Sequence, residues 1–569
     1  MPANAKPLKV VLCWHMHQPY YRGPAGSDYE LPWVYLHGIK DYSDMAFHLE
    51  NHGKARAVVN FAPLLLEQIE DYSHQTRRWL KTGERISDPL LAALAGPGVP
   101  LGLRERRKLI KDCLRANEKR LINRFEGFRD LVDIAHWIDH QPHNYGYLND
   151  QYMVDLLVWY HLAWMGESIR HNDLRVISLE KKKRNFNEND RRQLLSVIAD
   201  VLGGLIDRYR RLAESGRVEL SVTPYAHPIL PLFYNFHVAR ESLPDMRLPD
   251  TGDYPGGRER AVWHVRKGLE IFQRHFGFRP KGCWPSEGAL SDDSVRLLEE
   301  EGFHWVASGQ QVLSNSLKAM KADISAPASW VHTAYRLGDK GNMHGFFRDD
   351  GLSDLIGFTY SDWHADDAVG NLIQHLENID RATRGDPNRV VSIIMDGENA
   401  WEYYPDNGVY FLDALYKRLS NHPTLALSTF SDYLDDLSGG PARLPHVVAG
   451  SWVYGTLSTW IGDMDKNRGW EMLVDAKKIY DQAMEKRTYD EETLRKIEQQ
   501  LATCEGSDWF WWFGDYNPGQ AVSDFEHLFR LQLSHLHLLL GEKPPEYLHH
   551  VFAHGSGDPS MGGVMRRNN

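Results

Sequence analysis

Two carboxylates that end a hydrophobic run are the strongest chemical signal in this sequence. The run VVSIIM at 390–395 leads directly into Asp396 and Glu398. A third carboxylate, Glu287, lies in CWPSEGALS, between a strand-like and a helical stretch. A single acid at such a turn often only caps the next helix. The pattern therefore needs support from more than one acid.

That support comes from the repetition of the pattern on two separate strands. Glu287 and Asp396 are both flanked by Trp and Gly. Glycosidic cleavage needs one carboxyl group on each side of the anomeric carbon. We expect neighbouring strands to hold the two acids at the separation of about 5 to 5.5 Å that retaining enzymes use. The sequence thus favours a glycosidase over a pair of helix caps.

Three histidines offer a competing chemistry. His15 and His17 follow the first predicted strand, 8–14, and lie on one side of the chain if it is extended. This spacing suits a metal ion, but no clear third ligand accompanies it. Hydrogen bonding to sugar hydroxyls is the preferred interpretation for His17. His227, in PYAHPILP, has the same alternatives, and a purely structural histidine stays possible for either.

Further polar residues have the character of a substrate lining. Arg348, Asp354 and Trp363 lie around the strand-like segment LIGFTY, although Arg348 with Asp349 could be a simple ion pair. Asp508 lies in GSDWFWWFGDY, a segment dense in tryptophan. Half of these aromatics are expected in the core, and the rest are expected to stack on sugar rings while the acids bind hydroxyls.

Composition narrows the class of protein. The chain has 569 residues and a net charge of −12, which argues against a nucleic-acid or anionic-membrane partner. Its four cysteines are far apart and have no metal-type spacing. The sequence contains no apolar run of membrane-spanning length and no leader-like start, so we expect a cytoplasmic protein. It has no phosphate-binding loop and no GxSxG elbow, which leaves nucleotide enzymes and serine hydrolases without support.

The elements that must position these residues alternate between strand and helix, which predicts a mostly parallel sheet. Apolar strands end on polar residues at His15 to His17, His227, Glu287 and Asp396. In barrel-type folds the carboxyl ends of the strands carry the site. From about residue 440 the sequence pattern changes, with a tryptophan-rich loop predicted at 450–473 and helices after it. We predict a catalytic barrel at 1–440, a helical domain at 441–555 that completes the substrate cleft, and a disordered tail at 556–569.

Five blocks in a fixed order resemble glycoside hydrolase family 57, and within it the α-amylase and amylopullulanase type. They are HQP at 17–19, GRVELSVTPYAHPILP at 216–231, GCWPSEGALS at 282–291, MDGENAWEYYP at 395–405 and SWVYGTLSTWIGDMDKN at 451–467. The resemblance implies a distorted (β/α)7 barrel followed by a helical region. It also implies a retaining mechanism on α-glucans, with no cofactor and no required metal.

The resemblance assigns roles by matched position. Glu287 would be the nucleophile, and Asp396 would be the acid/base. We expect an apolar surround and the neighbouring Glu287 and Glu398 to raise the pKa of Asp396. Some family branches carry Glu where His227 stands, so activities cannot be transferred freely. Together with the lining residues above, the predicted substrate-binding residues are His17, His227, Trp284, Arg348, Asp354, Trp363, Glu398, Trp401, Trp460, Asp463 and Asp508.

The leading hypothesis is cleavage of α-1,4 or α-1,6 glucosidic bonds. A 4-α-glucanotransferase would use the same two acids, with an acceptor sugar replacing water. A metal-dependent deacetylase or mannosidase would need His15, His17 and a third ligand at one ion. A non-catalytic glucan-binding protein is a further alternative, which the two acids disfavour. The sequence gives neither the preferred linkage nor the oligomeric state.

Overall fold

The fold was analysed in a computed structural model, which describes residues 6–24, 27–100, 102–139 and 142–557. Within these residues the chain forms ten strands and twenty-three α-helices. The strands are β1 Leu8–Met16, β2 Ala57–Phe61, β3 Val218–Val222, β4 Gly282–Cys283, β5 Trp305–Gly309, β6 Tyr335–Leu337, β7 His344–Arg348, β8 Val390–Asp396, β9 Leu425–Leu427 and β10 Ala442–Leu444.

Helices connect and surround these strands. The first thirteen are α1 Trp33–Ile39, α2 Asp41–Asn51, α3 Pro63–Thr82, α4 Pro89–Ala95, α5 Leu103–Cys113, α6 Glu126–Asp139, α7 Asp150–Ala163, α8 Glu167–Asn172, α9 Leu174–Lys182, α10 Glu188–Glu214, α11 Leu230–Tyr234, α12 Ala239–Ser242 and α13 Gly257–Phe276. The remaining ten are α14 Asp292–Glu300, α15 Gln310–Ala319, α16 Asp350–Asp354, α17 Ala365–Thr383, α18 Val409–Leu419, α19 Phe430–Asp435, α20 Met464–Lys486, α21 Glu491–Cys504, α22 Asp508–Trp512 and α23 Gly519–Leu539. None of the described helices combines the length and the apolar character needed to cross a bilayer.

Seven parallel strands close into a barrel in the order β1–β2–β3–β4–β5–β7–β8. β8 pairs with β1 along its whole length, and one pairing, Arg348 with Ser392, joins β7 to β8. β1 is buried along almost its whole length, because helices cover the outside of the barrel and side chains fill the inside. The structure confirms the predicted seven-stranded barrel followed by helices.

Three local segments differ from the structure that their sequence pattern favours. The helical pattern at 104–138 is broken between α5 and α6, where Asn117 caps a π-helical turn, Glu118–Ile122. The apolar run at 355–360 is also a π-helical turn, because short apolar runs do not distinguish strand from helix. The strand in the block at 216–231 ends at Val222, since Pro224 cannot donate a sheet hydrogen bond.

A buried ionic cluster fastens the C-terminal helices to the barrel. Glu505, just after α21, accepts hydrogen bonds from Arg260 at 2.7 Å, His264 at 2.8 Å and Tyr254 at 2.6 Å. Burial alone would raise the pKa of Glu505, but the Arg260 charge and the hydrogen bonds outweigh it and lower the pKa to about 2. Residues 558–569 of the predicted tail lie outside the described residues.

Candidate active site

A cavity of about 580 Å³ lies at the carboxyl ends of the barrel strands. Glu287, Asp396 and Glu398 all line it, together with His17 and Arg348. Residues from beyond the barrel strands complete its wall: Trp452, Asp508, Trp511 and Trp512. The shared pocket expected from the repeated strand-end pattern is therefore present.

A strained turn presents Glu287 to the cavity. Its backbone adopts φ 58° and ψ 23°, the left-handed region in which a side chain costs about 1 kcal/mol or more. Trp452 holds the residue at two points. Its backbone N–H donates to the Glu287 carbonyl at 3.0 Å, and its indole Nε1–H donates to the Glu287 Oε2 at 2.9 Å. The two bonds fix both the turn and the carboxylate.

Asp396 ends β8, directly opposite His15 of β1 in the strand register. Its Oδ2 accepts a hydrogen bond from Asn399 Nδ2 at 2.8 Å. Burial raises the pKa of Asp396, opposed by the Asn399 hydrogen bond and by the charges of His17 and Arg348. The raised pKa and burial as its main cause match the expectation, whereas the expected repulsion by Glu287 and Glu398 is not among the causes.

The two acids come from strands that are not neighbours. β5 and β7 separate β4 from β8 on one side of the barrel, and β3, β2 and β1 separate them on the other. The expectation of adjacent strands is therefore wrong. Asp396 is the last residue of β8 and Glu287 lies in the short turn after β4, so the strand order itself separates the two acids around the barrel mouth, where both line the cavity.

Glu398 is a second buried acid of the same wall. Its Oε1 accepts a hydrogen bond from Gln18 Nε2 at 3.2 Å. Burial raises the pKa of Glu398 well above its usual value, and the nearby charges of Asp396 and Asp41 raise it further. A protonated Glu398 presents a neutral hydrogen-bond donor to the cavity, beside a carboxyl group of Asp396 that also gains a proton more easily than in water.

A chain of hydrogen bonds sets the tautomers of two buried histidines. Asn60 Nδ2 donates to Ser221 Oγ at 3.1 Å, which turns Asn60 Oδ1 towards His15 Nδ1 at 2.6 Å. His15 Nδ1–H donates there, so its Nε2 accepts from His227 Nε2 at 3.3 Å. His227 Nδ1 then accepts from Ser507 Oγ at 2.8 Å. Burial lowers the pKa of His15 to about 3 and that of His227 well below its usual value, so both rings are neutral.

The same rings do not fit a metal ion as they stand. Nitrogens of His15, His17 and His227 lie within 4.8 Å of one another. However, His17 stacks face to face on His227 with ring centroids 3.8 Å apart and planes only 12° apart. A histidine binds a metal in the plane of its ring, and parallel stacked planes do not converge on one point. His17 instead pairs with Asp508 Oδ1, 2.8 Å from its Nε2.

Comparison with known proteins connects this geometry to a family. The model of glycosyl hydrolase family 57 matches residues 11–443. This chain belongs to glycosyl hydrolase family 57. No curated protein sequence matches it significantly.

Solved structures share the fold of this family 57 member at low sequence identity. A family 57 branching enzyme from Thermococcus kodakaraensis is 16% identical with a TM-score of 0.58, over 93% of this chain and 90% of that one. The α-amylase AmyC from Thermotoga maritima is 13% identical with a TM-score of 0.53, over 95% and 96%. A 4-α-glucanotransferase from Thermococcus litoralis is 14% identical with a TM-score of 0.51, over 94% of this chain and 60% of that one.

Several residues predicted to bind substrate lie behind the cavity wall of this family 57 member. Trp284 is buried beneath His15 and packs on Trp452 with ring centroids 5.1 Å apart. Trp401 packs edge-on against the buried Trp14, with ring centroids 5.8 Å apart. Neither indole lines the cavity, although Trp284 supports His15 and Trp452, which do.

Five other predicted residues also do not line the cavity themselves: Asp354, Trp363, Trp460, Asp463 and His227. Asp354 pairs with Arg348 at 2.7 Å, as Asp350 does at 2.8 Å, so the proposed Arg348–Asp349 ion pair is wrong. Trp460 is fully buried, and Asp463 caps α20 by accepting from Asp465 N–H at 2.8 Å. Trp363 is 44% exposed and packs on Tyr360 outside the cavity. His227 is fully buried, stacks on His17, and has its Nδ1 3.9 Å from Glu287 Oε1.

The sequence analysis missed several residues of the site, and Trp452 and Asn60 are the most informative of them. Trp452 is the indole that binds Glu287, and Asn60 orients His15. The sequence nevertheless contains a pattern that points to each of these two residues. Trp452 lies in the same motif block as Trp460, and Asn60 is a polar residue inside the buried run AVVNF of β2. A polar side chain in a fully buried strand needs a buried partner.

Proposed function

We propose that this family 57 member is a retaining glycoside hydrolase that acts on α-glucans. Glu287 is the nucleophile and Asp396 is the acid/base. The observation that carries the proposal is that two carboxyl groups face one cavity from opposite sides. Trp452 orients one of them by a hydrogen bond, and burial raises the pKa of the other. This pair of environments suits a nucleophile and a proton donor.

The reaction proceeds in two steps. Trp452 holds Oε2 of Glu287 while the Glu287 carboxylate attacks the anomeric carbon. As the new C–O bond forms, the glycosidic C–O bond breaks, and the leaving oxygen takes the proton of Asp396. Asp396, now ionised, removes a proton from water. The resulting hydroxide displaces Glu287 from the anomeric carbon and restores both carboxyl groups.

Three features support an α-glucan as the substrate. Tryptophans line the cavity beside carboxyl groups, a combination that stacks on sugar rings and binds their hydroxyls. A volume of about 580 Å³ accommodates several ring-sized groups. The similar structures are named as a branching enzyme, an α-amylase and a 4-α-glucanotransferase. We propose α-1,4 cleavage of the amylase type, with α-1,6 bonds as a second linkage to test.

A 4-α-glucanotransferase activity is the second candidate. Trp33, Trp164 and Trp512 line the same cavity as the two acids, away from the barrel strands. Aromatic faces there can hold an acceptor sugar and exclude water from the intermediate. The same two steps then end with a sugar hydroxyl in place of water.

We propose that the helical region at 441–555 completes the substrate cleft of the barrel at 1–440. Trp452 and Asp508, both from the later region, bind Glu287 and His17 of the barrel. Ser507 Oγ reaches His227 in the same way, at 2.8 Å. Each of these bonds joins a residue of the barrel region to a residue of the later region, so the two regions build one site.

The test is incubation with amylose, maltoheptaose and pullulan, with products separated by size. Hydrolysis gives only shorter products, whereas transfer to an acceptor gives longer ones as well. Glu287→Gln and Asp396→Asn should each abolish most turnover, while glucan binding persists. Glu542→Gln is the control, because Glu542 is an exposed acid that pairs with Arg487 and does not line the cavity. Full turnover by Glu287→Gln would overturn the assignment.

A further inference from the structure

A second groove, of about 510 Å³, adjoins the active-site cavity. It runs between α5 and α23, and Leu31, Arg115, Gln520 and Asp524 line both spaces. A ligand that extends out of the cavity therefore enters this groove. We call it the basic groove because five cations line it: Arg104, Arg107, Lys108, Lys111 and Arg115.

The cations form one stripe along the chain. They lie three, four, seven and eleven positions after Arg104, which places them on one face of α5 and its C-terminal extension. Like charges at the i, i+3 and i, i+4 spacings destabilise a helix by repulsion. The stripe is thus unfavourable for the helix itself, and it stands out in a chain whose net charge is −12.

Nearby carboxylates neutralise only part of this stripe. Three of the cations have partners: Lys108 with Asp112 at 2.8 Å, Arg107 with Asp139 at 3.5 Å and Arg115 with Asp524 at 3.2 Å. Arg104 and Lys111 form no ion pair with any carboxylate in the described ranges 6–24, 27–100, 102–139 and 142–557, and both are exposed. Arg104 therefore remains to attract an anion within the groove, together with Lys111, whose charge acts on Asp139 without an ion pair.

We propose that the basic groove binds a phosphate group carried by a saccharide. This inference rests on the proposed function, because the groove continues from the cavity that would hold the glucan. Arg104 and Lys111 supply the charged N–H donors that phosphate oxygens accept. A neutral glucan would need no such charges. The proposed additional substrate class is therefore a glucan or oligosaccharide that bears phosphate monoesters.

A small phosphorylated sugar fits the groove better than a long polyanion. Glu30 and Asp524 line the groove beside the cations, so the positive charge is confined to a short stretch. The net charge of −12 repels an extended polyanion such as a nucleic acid. A single phosphate group meets the cations without approaching the rest of that negative surface.

Calorimetric titration of the full-length protein tests the proposal without any need for turnover. The probes are glucose 6-phosphate, glucose and inorganic phosphate, at low and at physiological salt. Wild type should bind glucose 6-phosphate more tightly than the other two, and less tightly as salt rises. The double variant Arg104→Gln/Lys111→Gln should weaken that binding by about tenfold or more, the effect of two lost charge-assisted hydrogen bonds. Lys181→Gln removes an exposed cation from α9 and should change nothing.

Several results would overturn the inference. Wild type could fail to bind glucose 6-phosphate, or the double variant could bind it as tightly as wild type does. Equally tight binding of inorganic phosphate would remove the saccharide from the proposal. Circular dichroism of each variant establishes that it folds. Cleavage of neutral maltoheptaose is measured in parallel. If wild type cleaves it without binding glucose 6-phosphate, only this inference fails. If glucose 6-phosphate binds and no glucan is cleaved, only the proposed function fails.

Discussion

Replacing Glu505 by Gln tests how the helical region is held against the barrel. The lowering of the Glu505 pKa from 4.5 to about 2 measures how strongly the folded state favours its charge. At about 1.4 kcal/mol for each tenfold change in proton affinity, this corresponds to about 3 kcal/mol of stability. Since Glu505 is 1% exposed, solvent screening removes little of it. The neutral amide would also leave the Arg260 charge poorly compensated.

The pH dependence gives this prediction its sign. The pKa of Glu505 is depressed in the folded state. Its contribution to the free energy of unfolding is therefore complete above pH 4.5 and is lost as the pH falls towards 2. Glu505→Gln should therefore unfold about 3 kcal/mol more easily than wild type at pH 7, and the difference should shrink on acidification. Urea unfolding, followed by tryptophan fluorescence and circular dichroism, measures both quantities.

A surface pair provides the control. Glu542 pairs with Arg487 while both side chains are more than 40% exposed, at 43% and 41%. Glu542→Gln should change the free energy of unfolding by less than about 1 kcal/mol. The argument is refuted if Glu505→Gln is as stable as this control at pH 7, or if its deficit persists unchanged in acid. Because Glu505 leads directly to Ser507 and Asp508, we also expect the variant to lose kcat/KM under conditions where it is folded.

Three further predictions concern the chemistry. Asp396→Asn should lower kcat/KM on maltoheptaose by about 10² to 10⁴-fold, and much less on a glucosyl fluoride, whose leaving group needs no proton. In wild type, activity should fall as the pH rises through the raised pKa of Asp396, and this basic limb of the pH profile should vanish in the variant. Trp452→Phe should cost about tenfold to a hundredfold in kcat/KM through the lost indole hydrogen bond, whereas Trp137→Phe, at a side chain 68% exposed, should be neutral. Asn60→Asp should raise the pKa of His15 from about 3 and add an acidic limb to the pH profile of kcat/KM, and an unchanged profile would contradict the tautomer chain.

The barrel was predictable because its signals are local. Buried strands such as β8 are apolar along their length and end on polar residues, and parallel strands place those ends at one mouth. Glu287, Asp396, His17, Glu398 and Asp508 were predicted on this basis or from motif order. All five line the cavity.

The rest depends on contacts between distant parts of the chain. Trp452 reaches Glu287 across 165 positions, and no periodicity in the sequence encodes that distance. Trp460, in the same block, has an equally suitable side chain but is buried in the helical region. The choice between two such tryptophans is made by the path of a loop. The order of strands around the barrel likewise decides that the two acids come from opposite sides of the mouth.

The indole bond between Trp452 and Glu287 has a practical consequence for protein engineering. The match to the family ends at residue 443, and a truncation placed there would appear to keep every acid of the mechanism. Such a fragment would lack the N–H donor for Glu287 and the carboxylate that meets His17. Chimeras that exchange barrels between relatives should therefore take the barrel and the downstream helices from the same parent protein.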